Sequence, residues 1–140
     1  MTVAMASAQR SAEKPPESAF GSGGMPGVTQ GMTEMVAVSQ AGDAILAYSA
    51  FTGRWHKQAI PAGHEKVPYT VGSGMVAVRL ENTLYAFSSE KGAWDSIELD
   101  DKAVGVPAVS FNMAYLKTGS KIYTFSRMAG NWSMVDLEKP

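Results

Sequence analysis

Only two histidines, His56 and His64, are present to move a proton near neutral pH. His56 follows Trp55 and His64 precedes Glu65, so each stands where a base and its orienting group could be built. No serine elbow or other nucleophile setting accompanies them, and ordinary surface histidines are the expectation. Carboxylates gather twice, as Glu98, Asp100 and Asp101 and then as Asp136 and Glu138 at the corresponding place of a later unit. Paired carboxylates can hydrolyse glycosidic bonds, but here a charged rim of loops is the expected role. No catalytic residue is assigned.

Cysteine is absent, which removes disulfides, thiolate metal sites and cysteine nucleophiles. Two histidines cannot make a three-histidine metal site within one chain. Met35, Met75 and Met113 stand at successive strand starts, where flexible thioethers fill irregular space along an inner strand or central channel. Neither a metal nor a cofactor is expected. The formal net charge is -1 with 18% charged residues, which carries no nucleic-acid footprint. No run approaches the length of a membrane-spanning helix. The first twenty residues hold no continuous apolar stretch before Ala6-Ser7-Ala8, so no signal peptide is expected and the default location is cytoplasmic.

The strongest pattern is aromatic. Trp55, Trp94 and Trp132 recur with a nearly constant period of about 39 residues. Each closes a phrase in which a glycine stands shortly before it: ILAYSAFTGRW, LYAFSSEKGAW and IYTFSRMAGNW. Aromatic faces stack on the apolar faces of sugars, and repeated sites yield avidity. Trp55, Trp94, Trp132, His56 and Asp95 are therefore the candidate ligand-binding residues. The competing role of a tryptophan at a strand start is packing between units. The residues after the tryptophans, His56, Asp95 and Ser133, all hydrogen-bond but differ in type, which argues against three equivalent sites.

These residues must be positioned by strands. Residues 1–26, rich in Ala, Ser, Gly and Pro, read as a flexible N-terminal arm, and residues 27–140 as a three-repeat β domain. A fixed period of this size implies stacked or ring-closed β units. The middle unit predicts strands at Met75–Val78, Leu84–Phe87, Trp94–Leu99 and Val104–Phe111, with turns at Glu81-Asn82 and Glu90-Lys91-Gly92. Pro68 and Pro107, one period apart, place the fourth strand at an edge, because proline cannot donate to a ladder. Counted this way, the third unit ends without a fourth strand, and a strand near Val28 to Met32 has no partner of its own.

Two architectures fit: a β-trefoil, complete with three units, and a β-propeller of radial four-stranded blades. A half-buried strand alternates apolar with polar, whereas MVAV, MVAV and MAYL are apolar on both faces, as strands between stacked sheets should be. That favours the propeller, with the trefoil as the alternative. The phrase Asn82–Ser88 with Lys91-Gly92-Ala93-Trp94 resembles a kelch-type propeller blade, as does Lys121–Phe125 with Gly130-Asn131-Trp132. It is also similar to the blades of quinone-dependent dehydrogenases and outer-membrane assembly propellers. The resemblance spans about 110 residues and implies an all-β fold of three four-stranded meanders. Three blades leave two raw sheet faces, so a homodimer forming a six-bladed ring is the expected assembly. The expected function is that of a binding or interaction module whose ligand is a glycan or a protein. The alternatives are a lectin-like protein, or an enzyme with its site in the central channel of the oligomer. Neither nucleic acid nor membrane is an expected partner.

Overall fold

The computed structural model describes residues 30–33 and 35–139; the arm proposed for residues 1–26 lies outside them. Twelve strands among the described residues form three four-stranded antiparallel sheets, each a simple meander. Sheet 1 holds β1 (Gln30–Met32), β2 (Val36–Ala41), β3 (Ala44–Ser49) and β4 (Arg54–Ala59). Sheet 2 holds β5 (Thr70–Val71), β6 (Met75–Leu80), β7 (Thr83–Ser88) and β8 (Ala93–Glu98). Sheet 3 holds β9 (Ala108–Val109), β10 (Met113–Thr118), β11 (Lys121–Ser126) and β12 (Asn131–Asp136). Among the described residues no ladder joins one sheet to another, and the three sheets of one chain close into neither a barrel, a propeller ring nor a trefoil core.

The repeat is accurate to single hydrogen bonds. The amides of Gly53, Gly92 and Gly130 donate to the carbonyls of Ser49, Ser88 and Ser126 at 2.7, 2.8 and 2.7 Å. Those of Ile60, Leu99 and Leu137 donate to Asp43, Asn82 and Ser120 at 2.9, 2.7 and 2.7 Å, carrying the ladder of the third and fourth strands one residue into the hairpin turns that the short polar residues mark. The same hairpins need a left-handed residue, and Gly42, Glu81 and Gly119 supply it at φ 60°, 54° and 63°. Glu81 is the only one of the three with a side chain to strain there.

The units begin one strand earlier than the sequence count places them. The strand after Pro68 pairs with β6, through Val71↔Val76 and Thr70↔Ala77, and so opens sheet 2 instead of finishing sheet 1. Likewise β9 pairs with β10 and opens sheet 3, while Gln30–Met32 pairs with β2. The N-terminal strand therefore has a partner, and sheet 3 lacks none. The physical cause is proximity: only Gly72–Gly74 separate β5 from β6, whereas a long loop separates β5 from β4. These first strands are all edge strands, and β5 and β9 are the shortest, because their ladders start only after Pro68 and Pro107.

Register also corrects the methionine alignment. Met75 pairs with Ser88 and Met113 with Ser126, but the residue that pairs with Ser49 is Val36. Met35 lies just outside that row.

The sheets stack face to face, with one apolar cluster at each of the two junctions. The first joins Val36, Val38, Ile45 and Ala47 of sheet 1 to Val76, Val78, Tyr85 and Phe87 of sheet 2. The second joins Met75, Ala77, Leu84 and Ala86 of sheet 2 to Ala114, Leu116, Tyr123, Phe125 and Trp132 of sheet 3. Sheet 2 is thus covered on both sides, and β6 and β7 are buried almost without interruption. β2 and β10 alternate instead, because each outer sheet has a neighbour on one face only. Gln40 and Arg79, at matching positions, pin the connecting loops: Gln40 Nε2 donates to the His64 carbonyl at 2.6 Å, and Arg79 Nη1 to that of Gly105 at 2.7 Å.

Candidate functional site

The tryptophans are the second residues of the fourth strands β4, β8 and β12 and lie against a cross-strand aromatic in each sheet. Ring centroids are 5.4 Å apart for Tyr48–Trp55, 5.3 Å for Phe87–Trp94 and 5.4 Å for Phe125–Trp132. These pairs are directly opposite in the antiparallel register, where side chains of one face meet. Chemically the three positions are the same, but their surroundings differ. Trp132 is buried (6% exposed), Trp94 is half-buried against the first cluster, and Trp55 is 54% exposed.

The difference follows from what stands behind each ring. Trp94 faces sheet 1 and its indole Nε1 donates to the His56 carbonyl at 2.9 Å. Trp132 faces sheet 2 and its Nε1 donates to the Asp95 carbonyl at 3.2 Å, while its backbone amide donates to Asp95 Oδ2 at 2.7 Å. Trp55 faces away from sheet 2, and its indole makes no hydrogen bond among the described residues. The candidate binding residues are therefore brought together in pairs across junctions, His56 with Trp94 and Asp95 with Trp132. They form no single pocket.

His56 is packed within the first junction. Its ring lies 5.5 Å from that of Phe87, its Nε2 is 2.8 Å from Thr52 Oγ1, and Gly92 leaves room for it. A Cβ on Gly92 would lie 2.7 Å from Thr52 Cγ2 and 3.1 Å from the imidazole. Partial burial, aided by the Arg54 guanidinium, holds the His56 pKa below the usual histidine value.

A row of serines, missed in the sequence, binds the same junctions one register row beyond the tryptophans. Ser49 Oγ donates to the Ser89 carbonyl at 2.5 Å and Ser88 Oγ to the Arg127 carbonyl at 2.6 Å. The signal was present, since Ser49, Ser88 and Ser126 recur at the tryptophan period, but small polar residues at strand ends resemble ordinary turn formers. Arg127 is itself buried, with its Nε 3.5 Å from Glu90 Oε1 and its guanidinium carbon 5.1 Å from the Phe111 ring centroid.

The other titratable groups are dispersed along the rim. His64 pairs with Glu81, Nε2 to Oε2 at 3.0 Å, and not with its sequence neighbour Glu65. Asp100 holds Lys121 at 2.8 Å, Asp136 accepts from Ser120 at 2.9 Å, and Glu98 accepts from Thr83 at 3.0 Å. Each of these carboxylates is thus tied to a cation or hydroxyl of its own. An open groove of about 550 Å³ lies at this rim between the Gly42-Asp43 turn and residues Gly63 to Lys66. Among the described residues no cluster of three metal-ligating side chains occurs, and no helix is long and apolar enough to cross a membrane.

No family model matches the chain, and comparison with curated proteins finds no relative at a significant level.

Proposed function

We propose that this chain is an interaction module that works as an assembled β-propeller, with two copies closing a six-bladed ring. One observation carries the reading: among the described residues, a stack of three sheets ends in two uncovered faces that are still built like covered ones. The outer face of sheet 1 keeps Trp55 exposed beside the half-buried Leu46 and Tyr48. The outer face of sheet 3 keeps Met113 and Tyr115 exposed, at 47% and 43%. Aromatic and thioether side chains left toward water on both ends favour association. Two copies make six sheets, inside the usual range of four to eight, while three would make nine.

As a ligand-binding protein, the module would offer the rims of the ring and its central channel. Of the three tryptophans only Trp55 presents a face that a sugar could reach, and the same face is the one assembly would cover. An enzyme finds less support, because Glu98, Asp100 and Asp136 each have a separate partner.

Static light scattering across a range of concentrations tests the proposal. The expected mass is twice the 14.9 kDa of one chain. A mass of 14.9 kDa that persists at high concentration would refute it.

A further inference from the structure

The two covered junctions obey one rule, and the rule specifies what fits the two uncovered faces. At each junction the tryptophan of the later sheet donates to the carbonyl of the residue that follows the earlier sheet's tryptophan: Trp94 to His56, Trp132 to Asp95. At each, the serine ending the third strand of the earlier sheet donates to a carbonyl just beyond the third strand of the later one: Ser49 to Ser89, Ser88 to Arg127. At each, a left-handed glycine of the later sheet admits a side chain of the earlier one, Thr52 at Gly92 and Lys91 at Gly130.

Among the described residues, every clause of the rule leaves one half unused on each of the two outer sheets. Sheet 1 retains the Trp55 indole, the Ala50 carbonyl and the open space at Gly53, where the nearest atom to an added Cβ would be Tyr48 Oη at 3.9 Å. Sheet 3 retains the Ser133 carbonyl, the Ser126 hydroxyl and Ala129, which stand where His56 and Asp95, Ser49 and Ser88, and Thr52 and Lys91 stand in the earlier sheets. Resting on the two-copy reading above, we infer that sheet 3 of one copy docks head to tail on sheet 1 of a second copy. Trp55 then donates to the Ser133 carbonyl, Ser126 donates to the Ala50 carbonyl, and Ala129 enters at Gly53. The apolar surfaces match in the same order: Leu46, Tyr48 and Trp55 meet Met113, Tyr115 and Ile122. The occupant is a second copy because the missing surface is one this chain already carries at its other end. A head-to-tail contact is heterologous, so it either closes or propagates; with two copies it occurs twice and closes.

The absence of native cysteine makes the contact testable by cross-linking. At the equivalent covered position, Lys91 Cβ lies 3.2 Å from where a Cβ on Gly130 would sit, close to the ~3.5–4.5 Å that a disulfide spans. Full-length Ala129→Cys and Gly53→Cys chains, carrying different tags, are mixed and oxidised. The expected product is the mixed A129C–G53C disulfide, at least about tenfold over either same-variant disulfide. Same-variant disulfides in excess, or none of any kind from a protein of dimeric mass, would overturn the head-to-tail contact and leave the two-copy reading standing. A monomeric wild-type protein would overturn both. Open-ended assemblies larger than two copies would overturn the closed ring. In parallel, Trp55→Ala should reduce the mass from two copies to one while dilute protein stays folded. A dimer that withstands Trp55→Ala, or one that forms only after residues 1–26 are removed, counts against the contact.

Discussion

Alanine at each tryptophan should destabilise the isolated chain in the order Trp132, Trp94, Trp55, although the three share one position of the repeat. Trp132 is 6% exposed, packs on Phe125 with centroids 5.4 Å apart, and satisfies the Asp95 carbonyl. Removing a buried aromatic side chain costs about 3–5 kcal/mol, including the cavity it leaves. The unpaired Asp95 carbonyl places Trp132→Ala in the upper part of that range, at about 4–5 kcal/mol. Trp55 is 54% exposed and, among the described residues, stacks on Tyr48 alone, so its loss in the monomer should amount to about 1 kcal/mol. Trp94, half-buried with a 2.9 Å hydrogen bond, falls between at about 2–3 kcal/mol. At roughly 4 °C per kcal/mol for a domain of this size, Trp132→Ala should lower Tm by about 15–20 °C and Trp55→Ala by about 4 °C. The assay is urea and thermal unfolding followed by circular dichroism, at a protein concentration low enough to keep the chain monomeric. Equal losses at the three positions, or a larger loss at Trp55 than at Trp132, would refute the stacking order.

Two further outcomes rest on local geometry. Gly42 and Gly92 share a left-handed backbone, at φ 60° and 61°, but only Gly92 is crowded, by Thr52 and His56. Gly42→Ala should therefore cost about 1–2 kcal/mol and Gly92→Ala clearly more; denaturant midpoints that fall equally would show that sheet 1 does not press on Gly92. His56 has its pKa lowered by desolvation and then by Arg54, so the folded chain binds this proton less tightly than the unfolded one. Its contribution is full above the ordinary value of 6.5 and is lost as the pH falls through and below it. Tm should drop between pH 7.5 and 5, and His56→Gln should flatten that slope; an unchanged slope would exclude His56 as its source.

Much of the fold was legible because local rules and long-range demands coincide. The runs at 75–78 and 84–87 are apolar at every residue, and in sheet 2 every one of those side chains is buried. Gly53, Gly92 and Gly130 recur where a hairpin needs positive φ. The phase of the repeat was not legible, since a period has no origin: Val67–Val71 could finish one sheet or open the next. Only the pairing of Val71 with Val76 decides it. The partner of His64 was equally hidden, because Glu81 is 17 residues away and reaches it only when sheet 2 stacks on sheet 1.

By itself the sequence determined the period, the strand and turn chemistry, and the two-sided apolar character of the repeats. These depend on side chains acting over a few residues, and they survive in any arrangement of the units. Tertiary structure alone decided which tryptophan is core and which is surface. Burial depends on whether a neighbouring sheet stands behind the ring, and three sheets in a row provide two junctions, leaving Trp55 facing outward.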